Sequence, residues 1–151
     1  MTASQMRQTL RSCVEALSKY APDSVGAMLN FSLLDCDEEK GVYRFQCETD
    51  RWMRNVSGTL HGGMCAAILD QAMGFVVYCI QPGKGFSPTA EMQISYHRPI
   101  IPGKELDVCV WVLSRGKNLM HLRAEARVAG SDALCVSSTA IYCFKPADGQ
   151  H

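Results

Sequence analysis

Three groups in this chain have residue types and spacing able to do chemistry. They are a lone carboxylate, Asp70, inside an apolar run; the start of that run, His61-Gly62-Gly63; and Asn55 shortly before it. Met64, Cys65, Ala66, Ala67, Ile68, Leu69, Ala72, Met73, Phe75, Val76 and Val77 leave the run almost no polar face. A helix hydrophobic on all sides is buried, in a core or in a bilayer. A charge at the centre of a bilayer span is costly, so the run predicts a buried helix of a soluble protein over 62–80. Aspartates are seldom fully buried unless paired or used. Asp70 is therefore a candidate general base or nucleophile, the plainer alternative being a carboxylate satisfied by local hydrogen bonds.

The helix start offers the complementary chemistry. Its first N–H groups lack intrahelical partners and carry the positive end of the helix dipole. Two glycines there allow another molecule to approach the backbone closely. Such a site suits a carbonyl oxygen that gains charge in a tetrahedral transition state; tight packing alone would also explain the glycines. Gly62 and Asp70 lie about 12 Å apart along one helix, whereas a base must come within about 3 Å, or one water, of the atoms it serves. One copy of the helix cannot supply both groups to one carbonyl. A second copy, antiparallel across a two-fold axis, brings its Asp70 beside the first copy's Gly62.

The remaining elements must hold this helix. Residues 3–20 place Met6, Leu10, Cys13, Val14 and Leu17 at helical spacing, and Ala21-Pro22 ends that segment. Phe31–Cys36 and Val42–Cys47 read as a hairpin around D-E-E-K-G. Residues 49–59 are polar and irregular, and Gln81-Pro82-Gly83-Lys84-Gly85 terminates the buried helix. The period then becomes two: Ala90, Met92, Ile94 and Tyr96 share one face; Leu106, Val108, Val110 and Val112 another; then Met120, Leu122, Ala124, Ala126 and Val128, with a last strand over 134–144. These are antiparallel strands with one packed face. Only the sheet is left to cover the helix, which defines an α+β architecture.

Composition narrows the field. The 151 residues fit one domain, 1–151, with an N-terminal helix in 1–22 and a central helix over 62–80. Lys plus Arg equals Asp plus Glu, 15 each, so no global charge draws the chain to nucleic acid or membrane. The first residues lack the pattern of a secretory signal. The eight cysteines stand singly, without C-x-x-C or zinc spacing, and suit free thiols in a reducing cytoplasm. No metal site is indicated. There is no G-x-S-x-G elbow, and Gly83-Lys84-Gly85 is a turn rather than a phosphate loop.

The spacing N-x5-H-G-G-x6-D, met as Asn55, His61, Gly62, Gly63 and Asp70, resembles the acyl-CoA thioesterases of the hotdog superfamily. The branch is the one containing the phenylacetate-pathway thioesterase PaaI and human thioesterase superfamily member 2. P-T-A-E-M-Q-I-S-Y-H-R-P (88–99), I-I-P-G and the S-R-G-K hairpin fit as well, so the resemblance covers essentially the whole chain. It implies a hotdog fold: about six antiparallel strands wrapped around one long helix, with an extra N-terminal helix. It also implies hydrolysis of an acyl-CoA, aliphatic or aryl, without a cofactor other than the coenzyme A of the substrate.

In that reading the Gly62 N–H polarises the thioester carbonyl, and Asp70 of the partner subunit activates water or attacks directly. Asn55 orients substrate or water. Thr89 falls where the family often has a serine or threonine, and strand parity places it opposite the face of Ala90 and Met92. His61 and Gly63 shape the substrate loop; Arg98, Arg115 and Lys117, with Lys104 and Arg54, are candidates for coenzyme A phosphates. Trp52, Met53, Met73, Phe75 and Tyr78 are candidates for an acyl pocket. A homodimer is the minimum assembly, and a homotetramer is common in the branch. Two other readings remain open: a non-enzymatic acyl-CoA binding module, and a hotdog hydratase or dehydratase using His61 with Asp70.

Overall fold

The computed structural model describes residues 3–81 and 87–144. Pro82, Gly83, Lys84 and Gly85 of the expected helix terminator lie outside the described residues. In order, the chain forms α1 (Ala3–Tyr20), α2 (Val25–Met28), β1 (Phe31–Asp37), β2 (Val42–Glu48), a 3-10 turn (Arg51–Met53), α3 (Gly62–Ile80), β3 (Thr89–Tyr96), β4 (Glu105–Arg115), β5 (Leu119–Val128) and β6 (Leu134–Cys143). The strands make one six-stranded sheet, order β1-β2-β4-β5-β6-β3, and each pair is antiparallel. This is the hotdog fold: the sheet wraps α3, and α1 packs against both α3 and β1.

The reason α3 sits there is hydrophobic. Ile68, Leu69, Ala72, Met73 and Val76 are fully buried against Phe45, Val110, Met120, Leu122 and Ala124 of the inner sheet face. Each such large apolar side chain contributes roughly 1.5–3 kcal/mol relative to exposure. Phe75 anchors the helix to the first hairpin, with its ring 5.6 Å from Phe31 and 5.8 Å from Phe45. The cover is one-sided. Ala67, Asp70, Gln71 and Gly74 are only half-buried, and Tyr78 is exposed. Gln71, Gly74 and Tyr78 line a groove beside α1, while Asp70 sits beside Thr89 and Tyr142 of the sheet. Asp70 is thus less enclosed than the all-apolar run implied.

Two short elements escape a periodicity reading. In α2, only one turn long, the Ser24 hydroxyl accepts from the Ala27 N–H at 3.3 Å. The 3-10 turn falls within the supposedly irregular residues 49–59; Asp50 caps it, accepting from the Arg51 N–H at 2.5 Å. Neither is long enough to establish a repeat.

Register shifts correct the strand parity. The pairing slips between Leu33 and Asp35, leaving Leu34 exposed, and so breaks the alternation of β1. A second slip lies between Thr89 and Glu91. Thr89 pairs with Tyr142 and Met92 with Ala140, so the extra residue at Ala90 turns Thr89 onto the inward face it was expected to avoid. Ala90 itself is exposed.

Candidate active site

The start of α3 is held from three directions. The His61 N–H donates to Met53 carbonyl at 2.8 Å, and the Leu60 N–H to Ile100 carbonyl at 2.8 Å. His61 is the N-cap: its Nδ1 accepts from the Gly63 N–H at 2.9 Å. An accepting Nδ1 carries no proton, so the imidazole is occupied in capping at this nitrogen. The Gly63 amide is consumed by the same bond. Among the described residues no acceptor answers the N–H of Gly62, the first residue of the helix. The Gly62 carbonyl accepts from the Tyr96 hydroxyl at 2.9 Å. A Cβ at position 62 would stand 3.2 Å from that hydroxyl, a tight contact that Tyr96 could relieve only by shifting.

Beside this amide lies a cleft of about 330 Å³, lined among others by Asn55, Gly62, Tyr96, His97 and Arg98. Asn55 belongs to it, but its side chain ties its own loop. Its Oδ1 accepts from the N–H groups of Ser57 and Thr59 at 2.9 and 3.2 Å, and its Nδ2 donates to Thr59 Oγ1 at 2.9 Å. One amide hydrogen remains for a bound molecule. Cys65 also borders the cleft, but burial pushes its thiol up to about 11. It is protonated at neutral pH and is no nucleophile as it stands.

Asp70 is the centre of a different cluster. Its Oδ1 accepts from the Thr89 hydroxyl at 2.7 Å and from the Tyr142 hydroxyl at 2.6 Å; that phenol oxygen also stands 2.8 Å from the Asp70 carbonyl oxygen. The bulge at Ala90 makes this possible, because Thr89 and Tyr142 are cross-strand partners on the face toward α3. Tyr142 is buried, and its phenol is held well above the usual value, first by burial and then by the charge and hydrogen bond of Asp70. It is a standing donor.

The basic candidates do not gather in one place. Arg98 lines the cleft, its Nη1 donating to Leu134 carbonyl at 2.9 Å. Arg115 donates from Nη2 to Ile80 carbonyl at 3.1 Å, at the far end of α3, where a cation satisfies the last carbonyls. Lys117 lies in the turn after β4, at the end of the sheet where Leu119 faces Cys143 and Tyr142 faces Thr89. Within one protomer, then, Gly62, Gly63, His61, Asn55 and Arg98 share one end, while Asp70, Thr89, Arg115 and Lys117 belong to the other.

Of the apolar candidates, Met53 and Met73 are core residues. Phe75 and Tyr78 line a second groove of about 1010 Å³ between α1 and α3, and Trp52 is on the surface. Among the described residues no three of His, Cys, Asp and Glu converge as metal ligands would. Tyr96 and Tyr142 were missed by sequence reasoning. Each meets its partner across a long stretch of chain, and no local motif links them.

The family model for the thioesterase superfamily matches residues 57–135. The chain belongs to this superfamily and is a thioester hydrolase. Acyl-coenzyme A thioesterase 13 of Homo sapiens is 27% identical over 114 residues, 76% of this chain and 79% of that protein. The crystal structure of thioesterase superfamily member 2 from Mus musculus superposes with a TM-score of 0.75 at 20% identity, covering 95% of this chain and 98% of the other. The PaaI protein of the E. coli phenylacetic acid degradation operon gives a TM-score of 0.75 at 17% identity, covering 95% and 96%.

Proposed function

We propose that the chain hydrolyses an acyl-CoA thioester, aliphatic or aryl-acyl, to the free acid and coenzyme A, in sites shared between two subunits. The observation that carries this is the separation of the two halves of the chemistry on one helix. Gly62 offers an unanswered N–H at the positive end of α3, and Asp70 offers a carboxylate about 12 Å further along. Two features favour a second copy as the missing half. On α3, Ala67, Gln71 and Gly74 are only half-buried and Tyr78 is exposed. β3 is an edge strand, paired on one side only, by β6, and open edges invite pairing. A homodimer is the minimum, and two dimers form a homotetramer.

In such a site the Gly62 amide donates to the thioester oxygen and stabilises it as charge develops. The partner's Asp70 takes a proton from water as water attacks, or attacks the carbonyl itself to form an acyl intermediate that water opens. The coenzyme A sulfur leaves with the bonding pair and is protonated. Asn55 orients the substrate through its remaining amide hydrogen, and Arg98, at the mouth of the cleft, meets a phosphate. The Arg115 and Lys117 of the partner, at the Asp70 end, approach the same entrance. All eight cysteines are free thiols, consistent with a cytoplasmic setting.

The experiment is thiol release from short, long and aromatic acyl-CoAs by the parent and by Asp70→Asn. A folded variant with kcat down by at least about a hundredfold supports the reading. Equal activity sinks it. Sharing between subunits is tested by co-expressing Asp70→Asn with Gly62→Val: activity returns in the mixed dimer if each site draws on both chains, and stays absent otherwise.

A further inference from the structure

Asp70 Oδ1 receives two hydroxyls, while among the described residues no donor reaches Oδ2. One of those hydroxyls belongs to a residue no motif singles out. Tyr142 is 2% exposed, and its ring is fixed between the strands and α3. It has one proton and two acceptors within reach, Oδ1 at 2.6 Å and the Asp70 carbonyl at 2.8 Å. The carboxylate carries charge, and its contact is the shorter, so the proton goes to Oδ1.

We infer that Tyr142 is a positioning residue for Asp70: with Thr89 it clamps Oδ1 and reserves Oδ2 as the oxygen that takes the proton or attacks the thioester. The inference rests on Asp70 being the reacting group. Without the clamp, a carboxylate on a half-buried helix face rotates about its terminal torsion and presents either oxygen. Two hydroxyls prevent this without neutralising the charge, since neither donor is a cation. The phenol does not titrate away at working pH, because burial and the neighbouring carboxylate keep its proton on. Its effect therefore falls on the geometry of the reaction rather than on substrate binding: the tyrosine lines neither the cleft beside Gly62 nor the groove beside α1.

Tyr142→Phe removes the donor and keeps the ring. It should lower kcat by about 10- to 100-fold, the scale of a misplaced reacting group, with KM unchanged. The decisive measurement repeats the substitution in the Asp70→Asn background. If Tyr142 acts through the carboxylate, it costs nothing further there; an equal loss in both backgrounds assigns the tyrosine to the fold and overturns the inference. So does full activity of Tyr142→Phe beside an inactive Asp70→Asn. An active Asp70→Asn instead sinks the reading of Asp70 itself, a distinguishable result. Should Tyr142→Phe fail to fold, 4-aminophenylalanine at position 142 keeps both ring and donor. It should retain most of kcat, and a folded but inactive protein again overturns the clamp.

Discussion

Two carboxylates on opposite faces of the same sheet are held in opposite ways. Glu125 lies on the outer face with its side chain 5% exposed, between the guanidinium groups of Arg123 and Arg127; the latter is 2.7 Å away. Arg123 in turn stacks over Trp111 at 5.3 Å. Burial alone would raise the Glu125 carboxyl, but the hydrogen bonds from Arg127 and Arg123 outweigh it and hold it below its usual value. Asp70, on the inner side, is met among the described residues only by hydroxyls. Paired cations offset the charge of a carboxylate, whereas hydroxyls donate to it without adding a positive charge. Under the proposed function, similar chemical groups are thus directed to structure at one place and to reactivity at the other.

The comparison breaks most directly if the two carboxylates are swapped for amides in turn. Asp70→Asn should cost at least about a hundredfold in kcat while leaving the melting temperature near that of the parent, read by thiol release and calorimetry. Glu125→Gln should do the reverse. Full turnover should accompany a loss of about 1–3 kcal/mol of stability, as charged hydrogen bonds to two arginines are weakened, measured by denaturant unfolding. A large activity loss in Glu125→Gln would abolish the distinction.

A smaller effect sharpens it through pH. The Glu125 carboxyl is depressed in the folded state, so the unfolded chain binds the proton more readily. Its contribution is therefore complete above the unfolded value, about 4.3, and fades as pH falls through the lower folded value. The parent should lose this portion of its stability on acidification, and Glu125→Gln should show a shallower acid limb; identical limbs would assign the loss to other groups. Smallest of all, Arg115→Ala removes a cation from the C-terminus of α3 and should cost about 0.3–1 kcal/mol. If turnover falls along with stability, Arg115 serves substrate as well as helix; unchanged stability would overturn its role at the helix end.

Much of this molecule is legible in its residues. The all-apolar run around Asp70 announces a buried central helix, because apolar side chains on every side must be hidden from water. The alternation of β4 and β5 announces a sheet with one packed face. His61-Gly62-Gly63 announces a helix start open to a ligand. What could not be read depends on pairing. Thr89 was placed on the wrong face because one extra residue at Ala90 inverts parity, and a bulge has no fixed signature in a single strand. Arg115 and Lys117 looked like companions of Arg98, yet the register of β5 on β6 carries them to the other end of the sheet.

By itself, then, the sequence determined the long elements and the buried helix, and it singled out Gly62 and Asp70 as candidates for acyl transfer, because local periodicity and side-chain type express these directly. The tertiary structure decided which oxygen of Asp70 is held and by what. Tyr142 lies 72 residues away along the chain, and only strand pairing carries that distance down to a hydrogen bond.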